Sequence, residues 1–192
     1  MTANTTGSNN VAVGRETLET NTTGGNNVAV GSNALEANTT ASDNTAIGNA
    51  ALLVNTTGTR NTAVGANALD AHTTGDDNVA IGRNSLGANT TGYRNVSMGR
   101  GSMMSNTTGS HCTAIGAYTL SSQTTGGDAN VAMGYGALYS NTTGDNNTGI
   151  GNSALVNSST GSNNTALGFK SLSANTTACL LYTSPSPRDR SL

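Results

Sequence analysis

Asn4-Thr5-Thr6-Gly7-Ser8-Asn9-Asn10-Val11-Ala12-Val13-Gly14-Arg15-Glu16-Thr17-Leu18-Glu19-Thr20 is the stretch that decides the fold, because the chain goes on repeating it. The seventeen-residue pattern restarts at Asn21, Asn38, Asn55, His72, Asn89, Asn106, Gln123, Asn141 and Ser158, and an eleventh copy opens at Asn175. Only the copy from Gln123 is longer, by one residue near Asp128-Ala129-Asn130. A fixed period of this length is the signature of a solenoid, in which one coil cannot bury its own apolar face and must stack on its neighbours.

Numbering each coil from its first residue shows what every position does. Position ten is apolar throughout: Val13, Val30, Ile47, Val64, Ile81, Met98, Ile115, Met133, Ile150 and Leu167. Position fifteen is equally uniform: Leu18, Leu35, Leu52, Leu69, Leu86, Met103, Leu120, Leu138, Leu155 and Leu172. These two columns are the expected core. Position eight is Val or Thr and position nine is Ala, except Ser97 and Gly149, so positions eight to ten read as a short strand. Small side chains at position nine would also let a partner approach closely. Position eleven is glycine in every copy, Gly14, Gly31, Gly48, Gly65, Gly82, Gly99, Gly116, Gly134, Gly151 and Gly168, which marks a corner needing positive φ or close backbone approach. At position seven Asn10, Asn27, Asn44, Asn61, Asn78, Asn95, Asn130, Asn147 and Asn164 stack into a column broken only by Cys112. Asn amides carry donors and acceptors and can hydrogen-bond along such a stack.

The pattern predicts an all-β, parallel β-roll or β-helix over residues 4–178, with two short strands per coil: positions eight to ten, and the Thr-Thr stretch. Ten coils at about 4.8 Å make a rod of roughly 48 Å. The extra residue in the eighth copy is expected to be a bulge that leaves later coils in register. A strand-plus-helix coil is the competing reading, with a helical turn at sequences such as Gly31-Ser32-Asn33-Ala34-Leu35-Glu36-Ala37. The abundance of Gly, Asn and Thr argues against it. Disorder of the isolated chain is a further alternative, since apolar residues are sparse; their strict periodicity favours the stack.

The pattern stops after Ala178. The run from Cys179 onward holds both prolines and resembles an in-frame translation of a transposase-type sequencing adapter, so residues 179–192 are read as a non-native or disordered tail. A genuine tail is the alternative.

Composition narrows the function classes. The 192 residues include 8 Lys and Arg against 10 Asp and Glu, one Phe and no Trp. Scattered cations give no basic patch, so nucleic acid is not expected as a partner. No apolar run approaches the roughly twenty residues of a membrane span, no signal peptide precedes the first coil, and the two cysteines form no disulfide framework. No nucleophile–base pair or set of metal ligands recurs at a fixed coil position, so no catalytic residue, metal site or cofactor is expected. Asp43, Asp76, Asp77, Asp128 and Asp145 are too irregular for a calcium repeat. His72 and His111 sit at different coil positions and read as surface replacements. The Asn-Thr-Thr triplets match a glycosylation sequon but fit turns. An ice-binding solenoid with stacked threonines is the alternative to a structural rod. Successive strand residues face opposite ways, which leaves one Thr column per face.

The block Asn26-Asn27-Val28-Ala29-Val30-Gly31 followed by Ala34-Leu35 resembles the head repeats of YadA-like trimeric autotransporter adhesins. The fuller sentence Asn55 to Leu69 is similar to repeats of bacterial and phage tail-fibre proteins. The resemblance covers Asn4 to Ala178. It implies a non-catalytic adhesive or structural rod, homotrimeric in the intact protein, on a cell surface or phage particle or otherwise outside the cell. Its receptor would be a protein or a glycan, and it transfers no binding residue. The anchor, stalk and chaperone domains of those families have no counterpart in this stretch.

Overall fold

A computed structural model describes residues 3–179 and 182–183 of the chain. It is a β-solenoid with no helix among the described residues. Each coil contributes one three-residue strand, from β1 (Val11–Val13) through β5 (Val79–Ile81) and β6 (Val96–Met98) to β10 (Thr165–Leu167). β11 (Tyr182–Thr183) follows, and all eleven strands form one parallel sheet in chain order. Equivalent residues pair, as in Val79↔Val96, Ala80↔Ser97 and Ile81↔Met98. β7 (Thr113–Ile115) still pairs position for position with β8 (Val131–Met133) across the longer coil, so the inserted residue leaves the register intact.

The second expected strand is absent among the described residues. At Thr-Thr the N–H groups of Thr73 and Thr74 both reach the Thr90 carbonyl, at 2.9 and 3.3 Å. Successive donors converging on one acceptor cannot propagate a ladder, whose bonds are evenly spaced. The other side of the coil is bent out of strand geometry by left-handed residues. In the fifth coil these are Asp77, Asn84 and Leu86, with φ of 60°, 58° and 52°. Inter-coil hydrogen bonds persist there regardless, for example Leu86 N–H to the Ser102 carbonyl at 3.0 Å.

The core differs from the expected one at one column. Position fifteen is buried through the first nine coils, where Leu18, Leu35, Leu52, Leu69, Leu86, Met103, Leu120, Leu138 and Leu155 are wholly inaccessible, whereas Leu172 of the tenth, expected in the same core, is only partly buried. Position ten is not. Val13, Ile47, Ile81, Met98, Met133 and Leu167 are exposed, and Val30, Val64, Ile115 and Ile150 are only half-buried. The residue that points inward from each strand is position nine, including Ala29, Ala46, Ala63, Ala80 and Ala114, all at 0% exposure. Leucine and asparagine columns fill the narrow interior, and a methyl group is what fits beside them. Position nine therefore packs inside, and it offers no surface to a partner.

Departures from alanine in that column are compensated from within. Ser97 Oγ donates to the Ser102 carbonyl at 3.0 Å and receives Ser85 Oγ at 2.7 Å. At Gly149 a Cβ would lie 3.3 Å from Leu138 Cγ, so the leucine already occupies the space.

Two asparagine columns flank the apolar core, where the sequence suggested one. At position seven, Asn61 N–H donates to Asn44 Oδ1 at 2.9 Å and Asn61 Nδ2 donates to the Gly75 carbonyl at 2.9 Å. Asn78 N–H then donates to Asn61 Oδ1 at 3.0 Å. At position one, Asn38 Nδ2 donates to Asn21 Oδ1 at 2.8 Å and to the Ala41 carbonyl at 3.0 Å. These amides satisfy buried corner carbonyls that water cannot reach.

The corner glycines behave as predicted. Gly82 has φ of 131°, and a Cβ there would stand 2.7 Å from both the carbonyl carbon and oxygen of Gly99 in the next coil. Tyr182 and Thr183 continue the ladder, pairing with Thr165 and Ala166. The rest of the expectation for the tail beyond Cys179 lies outside the described residues.

Candidate functional site

The outward side of the sheet is the first candidate surface. Positions eight and ten of every strand project from it, since alternate residues of a strand face opposite ways. Position ten forms an unbroken apolar column in which Val13 is 58% and Leu167 49% exposed. Over ten strands the column runs about 43 Å. Contiguous exposed apolar surface of this kind is rare on solitary proteins and marks contact surfaces.

The threonine columns are divided by their bonding. Position-two hydroxyls are engaged in the stack, as where Thr73 Oγ1 donates to the Thr90 carbonyl at 2.9 Å. Position-three threonines, including Thr23, Thr40, Thr57, Thr74 and Thr91, are exposed. A single accessible Thr column therefore runs beside the corner.

His72 is not the surface replacement that the sequence suggested. It is fully buried in the position-one column. Its Nε2 lies 2.7 Å from the Gly75 carbonyl and its Nδ1 lies 2.9 Å from Asn89 Oδ1. Both of those partners are acceptors, whereas a neutral imidazole has one donor. Burial depresses the pKa of His72, which favours the neutral ring. Turning the Asn89 amide over resolves the conflict: Asn89 Nδ2, otherwise without a partner, donates to Nδ1, and Nε2–H donates to Gly75. His72 thus replaces an asparagine amide. His111 is exposed, edge-on to Tyr93 at 4.9 Å.

Gln123, Gly127 and Cys112 form one irregular patch. The extra residue of the eighth coil falls at Gly126-Gly127, both left-handed. The longer Gln123 side chain reaches the Gly126 carbonyl at 3.0 Å and also donates to Gly127. Cys112 Sγ donates to the same Gly127 carbonyl at 3.1 Å. Burial pushes the Cys112 thiol pKa upward, which disfavours the thiolate.

Charged groups gather on the exposed corners. Arg60 meets Asp77 at 2.6 Å and Asp76 at 3.4 Å. The hydrogen bond to Arg60 lowers the Asp77 pKa, and Asp77 raises that of Arg60. A second corner carries Arg83, Asn84, Arg100, Gly101, Met104 and Tyr118 around a groove of about 250 Å³. Among the described residues no group of three or more His, Cys, Asp or Glu is placed to hold a metal ion, and no helix is long and apolar enough to cross a membrane.

Comparison with protein-family models, curated proteins and solved structures finds no match to this chain.

Proposed function

We propose that this chain is the rod of an assembled surface fibre or adhesin, and that it acts by displaying surface rather than by catalysis. The observation that carries this reading is the apolar column along the outward side of the sheet. A rod that packs its leucine column wholly inside yet leaves Val13, Ile47, Ile81, Met98, Met133 and Leu167 open to water has a face suited to burial by another subunit. The repeat resembles those of trimeric adhesins and tail fibres, so the assembly proposed is a homotrimer outside the cell or on a particle. The polar corners would remain outward to meet a protein or glycan receptor.

Fusion to a trimeric coiled coil tests the proposal. The fused protein should sediment as a trimer and melt well above the unfused chain. Ile81→Asp should reduce that gain without unfolding the unfused chain. A soluble monomer whose melting temperature is unchanged by fusion would overturn the assembly reading. Thermal hysteresis of ice growth by that monomer would favour the stacked-threonine alternative.

A further inference from the structure

We propose that the corner groove across the fifth to seventh coils binds a carboxylate-bearing sugar, one ring of an acidic saccharide chain. The proposal rests on the reading of the rod as a display surface and gives that surface a ligand class. Arg83 and Arg100 occupy position twelve of successive coils, so their backbones stand about 4.8 Å apart. Both are exposed, and neither makes an ion pair among the described residues. Asp70 lies on the same edge one coil before Arg83 and still makes no ion pair with it. Arg60, by contrast, is neutralised by its own acidic neighbours, and in its groove Asp76 and Asp77 stand beside the one remaining guanidinium, Arg94, so an incoming anion meets two carboxylates there. Two adjacent unpaired guanidinium groups repel each other, and an anion between them relieves that repulsion. A carboxylate matches the planar donor fork of arginine.

The remaining lining suits a sugar ring. Tyr118 lies against the backbone of Gly101, where a Cβ would come within 3.0 Å of its ring. Arg100 holds the ring from one side at 5.7 Å, and Tyr135 meets it edge-on at 6.1 Å. The ring is thus fixed before any ligand arrives, and its remaining surface can pack against the apolar side of a pyranose. Met104, 38% exposed, extends that apolar floor. The Asn84 side-chain amide has no partner among the described residues and can serve sugar hydroxyls. At about 250 Å³ the groove is smaller than a typical drug-sized pocket of roughly 300–1,000 Å³, which limits it to about one ring. The chain's net charge of −2 and scattered acids make a polyphosphate backbone a poor match.

Calorimetric titration of the full chain with tetragalacturonic acid tests the site, with its fully methyl-esterified form as the uncharged probe. The acid should bind, and the ester should bind at least about tenfold more weakly, as for loss of a charge-assisted hydrogen-bond pair. Arg83→Asn with Arg100→Asn should weaken the acid by a similar factor, and Tyr118→Asn by about fivefold, within the range of a lost ring contact. Asn occupies these corner positions in other coils, at Asn49 and Asn67, so the variants preserve the fold. Arg94→Asn and Lys170→Asn remove charge elsewhere and should leave binding unchanged. Absence of binding, equal binding of the ester, or equal loss in the two control variants would overturn the site. Sedimentation of the same samples separates the two proposals. Binding by a persistent monomer removes only the assembly reading, and a trimer that fails to bind removes only the groove.

Discussion

Ile81 and Leu86 belong to the same coil, and truncating each to alanine should have very different consequences. Leu86 is fully buried between Leu69 and Met103 of the adjoining coils, whereas Ile81 is 38% exposed on the outward side of the sheet. Leu86→Ala removes buried methyl groups and opens a cavity in a stack whose neighbours are themselves pinned by inter-coil bonds. Such changes cost about 2–5 kcal/mol, and the full burial here places the loss near the middle, about 3.5 kcal/mol. Leu86 is left-handed, with φ of 52°. Alanine also carries a Cβ, so the backbone strain is retained and the difference reads out the side chain. Ile81→Ala gives up only partial burial, about 1 kcal/mol. Urea unfolding followed by circular dichroism, at concentrations low enough to keep chains separate, measures both. The aspartate pair sharpens the contrast: Leu86→Asp buries an unpaired charge and should unfold adjoining coils, while Ile81→Asp should impair association alone. If Ile81→Ala cost as much as Leu86→Ala in separate chains, the assignment of inward and outward faces would be wrong.

Asn78→Ala should destabilise by about 2–6 kcal/mol, because it strands the buried Asn95 N–H and Gly92 carbonyl that Asn78 now serves at 3.1 and 2.9 Å; denaturant melts would show it. Gly82→Ala combines a φ of 131° with a 2.7 Å backbone clash and should cost at least about 3 kcal/mol. His72 has a depressed pKa in the folded chain, so the unfolded chain takes up the proton first as pH falls. Stability from this group is therefore complete above its ordinary value of about 6.5 and declines below it, until the folded ring also protonates. His72→Asn should flatten that part of a melting-temperature profile; an unchanged profile would refute the buried neutral ring.

The repeat made the solenoid, its parallel stacking, the glycine corner and the leucine column legible before any coordinates. The orientation of the strand was harder to read. Val at positions eight and ten brackets Ala at nine, and hydrophobicity alone favours burying the larger side chains. The interior is instead narrowed by Leu and two Asn columns. The useful signal was size: position nine admits only Ala, Ser97 or Gly149, as a close-packed site would. The position-one column was also readable in retrospect, because His72, Gln123 and Ser158 all retain a side chain that can hydrogen-bond. Asn and Asp at position six, such as Asn9, Asn26 and Asp77, suit the left-handed region they adopt, but nothing in the sequence indicated that conformation for leucine. Leucine has no local preference for that region, and Leu35, Leu52 and Leu86 adopt it because inter-coil bonding and burial outweigh a penalty of about 1–2 kcal/mol each. The corner groove is not legible in the sequence because Arg83, Arg100 and Tyr118 are spread over two periods of the repeat and converge only when coils stack.

Both surfaces of the rod exist only if the coils are stacked one per seventeen residues in a rigid array. Spin labels at exposed position-three threonines measure this directly, using Thr40→Cys with Thr108→Cys or with Thr143→Cys in a Cys112→Ser, Cys179→Ser background. Labelled chains are diluted into unlabelled ones so that only distances within a chain are read. Four and six coil steps at about 4.8 Å predict narrow distance distributions centred near 19 Å and 29 Å. Broad distributions, or distances that do not grow in proportion to coil number, would contradict the solenoid and everything placed on its surface.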